Sequence, residues 1–188
     1  MSHVAAYLAE AAVIARDISC SQVELLAEAL DQLRSAGGRL YVIGLGGSLS
    51  NAEHLAADFR KLCEIEAYAP NAPEMSAWIN DAGPYHAFRG HLKWMRERDA
   101  LLVLSVGGGT AEVSTGLLYA ITICKAKGMP VFSIVGPNGG CSAENSDICI
   151  KVPVTNKVHV TPHTEAFQAV IWHALVSHPL LQKHSTKW

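Results

Sequence analysis

Between Val4 and Ala36 the apolar positions recur every three or four residues among Ala, Leu and Glu, a spacing that predicts helix. The pattern lapses from Asp17 to Ser21, where Ser19 or Ser21 can cap a new start, so the region reads as two helices ended by Gly37-Gly38. The period then changes. Arg39-Leu40-Tyr41-Val42-Ile43 is a short β-rich run that meets glycine at once, as a buried strand feeding a turn does. The same succession returns at Asp99 to Ser105, which runs into Gly107-Gly108-Gly109 and then a helical stretch from about Thr110 to Lys127. It returns again at Pro130 to Val135, followed by Gly136. Asp147 to Val152 predicts a further strand, and Thr164 to Leu181 a last helix with Phe167, Val170, Ile171, Ala174 and Leu175 as its apolar stripe. Strands alternating with helices imply an α/β fold with a parallel sheet and right-handed crossovers.

A chain of 188 residues suits one domain spanning 1–188, with an N-terminal helical segment over about 1–37 and an α/β core over 38–188. Hydrophobic residues make up 49% and charged residues 17%, a balance that fits a packed enzyme or an oligomer hiding apolar surface. A net charge of −2 with no run of Lys and Arg offers no footprint for nucleic acid, and none is expected as a partner. Cys20, Cys63, Cys124, Cys141 and Cys149 are odd in number and never spaced C-x-x-C, so reduced thiols are expected. The first residues lack the basic start and apolar centre of a signal peptide, and no apolar stretch reaches the ~18 residues of a membrane span. A cytoplasmic location without a membrane partner is the expectation.

Both glycine turns follow strands, where ligands gather at the carboxyl ends of an open parallel sheet. In Gly44-Leu45-Gly46-Gly47-Ser48 the absence of side chains at Gly46 and Gly47 lets backbone N–H groups approach an anion, Ser48 adds a hydroxyl, and the following helix adds its positive end. In Ser105-Val106-Gly107-Gly108-Gly109-Thr110 the two hydroxyls flank a possible backbone nest. Glycines after strands also simply make tight turns, but two such turns with flanking hydroxyls favour a phosphate. A nucleotide is disfavoured: position 49 is Leu, so G-x-G-x-x-G is incomplete, and no Walker lysine follows either turn.

Two N-terminal helices, the Gly-Gly-Ser turn followed by His54, the pair Asn80-Asp81, the Ser-to-Thr glycine turn, and a C-terminal helix with Glu165 and His173 together resemble the sugar isomerase (SIS) domain family. Within it they are most similar to the sedoheptulose 7-phosphate isomerases, or phosphoheptose isomerases. The resemblance covers nearly the whole chain. It implies a three-layer, flavodoxin-like sandwich with a five-stranded parallel sheet, and a homotetramer with active sites between subunits. It also implies conversion of sedoheptulose 7-phosphate to a heptose 7-phosphate aldose for nucleotide-activated heptose synthesis. Substrate binding is then expected at Leu45, Gly46, Gly47, Ser48, Asn80, Asp81, Ser105, Val106, Gly107, Thr110 and Glu165, and one zinc ion per subunit at His54, Asp58, Glu165 and His173. Four features differ from the family's usual pattern: Leu45 for Asn, Asp58 for Glu, Glu165 for Gln, and glycine for most hydroxyls of the second turn.

Ketose–aldose isomerisation needs a base that moves a proton between adjacent carbons, an acid for the oxygens, and stabilisation of an enediolate. His54 and Asp58 are four apart and share one helix face; Glu165 and His173 are eight apart and lie within ~80° around theirs. The catalytic set is therefore Asp58, Glu165 and His173, with Asp58 or Glu165 as base and His173 as acid. Two imidazoles and two carboxylates are donors that zinc accepts. His159 and His163, flanking Thr161-Pro162 before the last helix, could line the site but stand outside this set as solvated loop histidines, and Arg60 and Lys61 could reach a phosphate but read as a solvated charged face. Trp78, Trp94, Trp172 and Trp188 show no regular spacing and read as packing residues. The alternative function is that of a non-catalytic SIS protein, binding a sugar phosphate as a regulatory or adaptor device.

Overall fold

The computed structural model describes residues 1–187; Trp188 lies outside them. Two helices open the chain, α1 (His3–Asp17) and α2 (Cys20–Ser35), and the Ser19 side chain accepts from Gln22 N at the start of the second. Five strands follow: β1 (Leu40–Ile43), β2 (Ala67–Tyr68), β3 (Ala100–Ser105), β4 (Val131–Val135) and β5 (Ile148–Lys151). They form one all-parallel sheet in the order β2-β1-β3-β4-β5, with Leu40 registered on both Ala67 and Ala100, Leu101 on Val131 and Phe132 on Ile148. Between them run α3 (Gly47–Cys63), α4 (Ala72–Ala82), α5 (Arg89–Leu92), α6 (Thr115–Ala126) and α7 (Gly140–Asn145), and α8 (Val160–Val176) closes the fold.

Successive side chains of a strand point to opposite faces, and β3 divides its residues accordingly. Ala100, Leu102 and Leu104 join Leu55 and Phe59 of α3, Leu30 of α2 and Leu175 of α8 in one core. Leu101 and Val103 join Leu117 and Ile121 of α6, Met75 of α4 and Leu92 of α5 in the other. A strand buried on both faces reads as an unbroken apolar run, which is why Ala100–Ser105 shows no alternation. The result is the expected three-layer α/β sandwich.

Four departures are local. The helix after the second glycine turn starts at Thr115 rather than Thr110, because Thr110 Oγ1 accepts from the N–H groups of Glu112 and Val113 at 3.2 and 3.0 Å and holds a turn there. The first-turn helix starts at Gly47, inside the glycine turn rather than after Ser48. The last helix runs from Val160 to Val176, earlier at both ends than expected, and its Val170 and Ala174 are exposed while Phe167, Ile171 and Leu175 pack inside. The two-residue strand β2 and the short helices α5 and α7 carry too little periodicity to read, and α4, whose start Asn71 caps by accepting from Glu74 N, stands outside the expected elements. No helix among the described residues is long and apolar enough to cross a membrane.

Candidate active site

In this strand order the chain leaves β1 toward one edge of the sheet and β3 toward the other, so a crevice opens between their carboxyl ends. The two glycine turns form its walls. Gly46 has φ +59° and ψ −129°, a conformation open only to glycine, and there the strand swings into α3. Gly47 and Ser48 then begin the helix with N–H groups that find no backbone acceptor among the described residues. In the second turn Gly108 (φ +74°) packs so tightly on the loop after β4 that a Cβ would collide with the carbonyl of Gly139. The first turn of α7 takes up this turn's carbonyls: Cys141 N donates to Gly109 O at 3.0 Å, and Ser142 N and Oγ donate to Gly108 O at 3.0 and 2.6 Å. Gly108 N–H is spent on Ser105 Oγ at 3.0 Å, whereas those of Gly107 and Gly109 have no acceptor among the described residues.

These turns enclose a cavity of about 250 Å³ lined by Leu45, Ser48, Ser105, Val106, Gly107, Gly109, Thr110, Val113 and Ser114. Six of the residues expected to hold substrate thus come together. Gly46 and Gly47 lie behind them in the same turn. Asn80 and Asp81 do not line the cavity; they sit exposed on the last turn of α4, where Asn80 Nδ2 donates to Asp81 Oδ1 at 2.9 Å. Ser48 and Ser105 are buried, and each oxygen already accepts a bond, from Gln168 Nε2 and Gly108 N respectively, which frees both hydroxyl protons to be donated. Ser114, Val113 and Gln168 escaped the sequence reading. Ser114 carries the one usable signal, a capping residue directly before the apolar run of α6.

Helix α8 packs along α3 and delivers His173 opposite His54 and Asp58. Asp58 Oδ2 lies 3.5 Å from His54 Nε2 and 3.8 Å from His173 Nε2, and Trp172 Nε1 donates to that oxygen at 3.2 Å. His173 Nδ1 is 2.7 Å from the Ala169 carbonyl, so Nδ1 carries the proton and Nε2 is the atom that faces Asp58. The imidazoles are open, with side-chain exposures of 60% for His54 and 55% for His173, against 17% for Asp58. Glu165 stands apart from these three. Its carboxylate packs on Gly47, where a Cβ would come within 2.6 Å of both oxygens, and its backbone carbonyl accepts from Asn51 Nδ2.

The donor atoms of His54, Asp58 and His173 all lie within 4.8 Å of one another. Two imidazole nitrogens and a carboxylate are zinc donors, and zinc arms of about 2.0–2.1 Å place tetrahedral donors about 3.4 Å apart. The separations of 3.5 and 3.8 Å therefore fit such an ion without the fourth expected ligand.

His159 and His163 do not belong to this cavity, nor to a solvated loop. They sit at the start of α8 on Glu10 of α1, and His163 is 1% exposed. Hydrogen bonds from Asn156, His159 and His163 hold the Glu10 carboxyl far below its ordinary range, at about 2. The Arg60 guanidinium donates to the Ala67 carbonyl beside β2, not to the cavity. All five cysteines are free; burial pushes the thiol of Cys63 to about 11 and that of Cys124 to about 12, which leaves both unreactive.

No family model matches the chain. It is 35% identical over 148 residues to a phosphoheptose isomerase of Rhodospirillum rubrum, covering 74% of each protein. It is 32% identical over 151 residues to the lincomycin biosynthesis protein LmbN of Streptomyces lincolnensis, covering 74% of this chain and 55% of that protein, so it spans about half of LmbN's length. The solved phosphoheptose isomerase of Neisseria gonorrhoeae superimposes with a TM-score of 0.80 at 25% identity, over 92% of this chain and 95% of that one. With this superposition over nearly the whole chain and this level of identity, the chain belongs to the phosphoheptose isomerase group of the SIS-domain family.

Proposed function

We propose that this protein is an aldose–ketose isomerase that converts sedoheptulose 7-phosphate to a heptose 7-phosphate aldose through an enediolate, feeding nucleotide-activated heptose synthesis. The reading is carried by the meeting of His54, Asp58 and His173 along the helix that begins in the glycine-turn cavity. Ser48 lines that cavity, and His54 follows it by six residues, about 9 Å of helix rise. An extended carbon chain advances about 1.3 Å per bond, so the reacting end of a seven-carbon sugar stands roughly 9–10 Å from its phosphorus. A phosphate seated at the turns thus brings C1 and C2 level with His54, whose Nε2 is 3.5 Å from Asp58 Oδ2.

The N–H groups of Gly47, Ser48, Gly107 and Gly109 and the hydroxyls of Ser48 and Ser105 hold the phosphate, with the positive end of α3 behind them. Asp58, aimed by Trp172 Nε1, takes the proton from one carbon and returns it to its neighbour. His173 Nε2 moves protons on the substrate oxygens, since its Nδ1 is committed to Ala169. Glu165, at the mouth of the first turn, accepts from a sugar hydroxyl. A zinc ion held by His54, Asp58 and His173 would instead polarise the substrate carbonyl itself, since it would occupy the Nε2 lone pair and the carboxylate that otherwise move protons.

The triad faces outward, which supports a site closed by a neighbouring subunit in a cytoplasmic homotetramer. In such an assembly Asn80 and Asp81 would be free to meet substrate. Incubation with sedoheptulose 7-phosphate, followed by NMR alongside a metal assay, tests the proposal. Appearance of the aldose, lost in His173→Ala, supports it; no turnover with zinc present or absent overturns it in favour of a non-catalytic sugar-phosphate binder.

A further inference from the structure

Besides the active-face triad, one other group of side chains among the described residues gathers metal-ligating atoms within 4.8 Å: Glu10, His159 and His163. Glu10 Oε2 lies 2.7 Å from His159 Nδ1 and 2.9 Å from His163 Nε2, so a single carboxylate oxygen faces two imidazole nitrogens. The other oxygen, Oε1, is held by Asn156 Nδ2 at 2.7 Å, which fixes how the carboxylate is presented. His159 occupies the N-cap position of α8 and His163 lies in its first turn, four residues on, an H-x3-H spacing that brings both imidazoles to the same end of the helix. Tyr7 stacks on the His163 ring at 4.1 Å between centroids, and the His3 ring stands edge-on to His159 at 5.7 Å. One face of α1, through His3, Tyr7 and Glu10, thus lies over the first turn of α8. Supporting groups of this kind orient the ligands of a metal centre.

We propose that Glu10, His159 and His163 form a second zinc site, separate from the active face and structural in kind, that ties helix α1 to the start of α8. Two nitrogens and one carboxylate oxygen suit zinc, whereas calcium and magnesium take shells of oxygen. The ion replaces the protons shared between Oε2 and the two nitrogens, which are released to solvent; nothing is oxidised or reduced. Donor separations widen from 2.7–2.9 Å toward about 3.4 Å, within the reach of side-chain rotation. His3 or a water molecule completes the fourth position.

The test uses the full chain, stripped with a chelator, in a His54→Ala/His173→Ala background that dismantles the active-face donors. Zn2+ is titrated by calorimetry, and Co2+ is added in parallel for its tetrahedral absorption bands. One equivalent bound, with Tm raised by roughly 5–10 °C at a hundredfold excess over Kd, is the expected result. Both the binding and the bands should vanish on adding Glu10→Gln or, separately, His159→Gln, with circular dichroism confirming that each variant is folded. No ion bound in the double-alanine background overturns the proposal, as does binding that survives Glu10→Gln and His159→Gln unchanged. Because the active-face histidines are absent throughout, neither result depends on whether the enzyme turns over.

Discussion

Helix α8 carries a histidine–carboxylate cluster toward each end, and the two are built from the same groups to different effect. At its start, His163 is 1% exposed, Glu10 bridges two imidazoles at 2.7 and 2.9 Å, and Asn156 takes the spare oxygen. Toward its end, His173 is 55% exposed, Asp58 stands 3.5 and 3.8 Å from two imidazoles, and one indole N–H aims it. Where both carboxylate oxygens are held at short distance, the groups hold two helices together. Where separations are half an ångström or more longer and one side is open, a substrate or an ion can enter. Residue type alone does not separate the two cases; coverage by α1 does.

The largest effect expected is on the open cluster. His173→Ala should lower kcat by about 10²–10⁴-fold, the range of a lost general acid, with Tm almost unmoved; steady-state kinetics with thermal melts would show it, and a large fall in Tm would assign His173 to structure.

Acid should separate the closed cluster from its background. Burial holds His91 at about 4 instead of 6.5, so between those values the folded chain binds fewer protons than the unfolded chain. Stability therefore falls as pH drops through that window, by up to about 3 kcal/mol, and His91→Phe should flatten this limb in denaturant titrations. Glu10, at about 2 against 4.5, contributes stability that is complete above 4.5 and is lost as pH falls toward 2. Glu10→Gln should remove that lower limb alone.

His163→Ala should cost about 2 kcal/mol of stability while kcat stays within about threefold, because it removes a buried ring that stacks on Tyr7 and does not line the cavity. A fall in kcat matching that of His173→Ala would erase the distinction between the clusters. The smallest effect is sought at Trp172. Trp172→Phe should lower kcat about tenfold with KM nearly unchanged through loss of the N–H that aims Asp58, while thermal melts read separately the packing that the smaller ring gives up in the core.

Much of this architecture is local and was legible. The lapse at Asp17 to Ser21 is the break between α1 and α2, and the apolar runs ending at Ile43, Ser105, Val135 and Lys151 are strands, because their side chains fit a doubly covered sheet. His54 and Asp58 on one helix face follow from their spacing. The start of α6 was misread because the Thr110 hydroxyl competes for N–H groups that a helix would use. His159 and His163 were read as loop residues because nothing near them in the chain announces Glu10, about 150 residues earlier.

The α/β class, the two glycine turns and the resemblance that brought His173 and Glu165 into view were set by the chain alone, since they rest on period, backbone conformation and motif. That Glu165 packs on Gly47 while His173 meets Asp58, and that one histidine pair is largely covered and the other open, follows from the tertiary packing. Those outcomes depend on which helices cover which faces, and contacts between residues far apart in the chain leave no periodic trace within it.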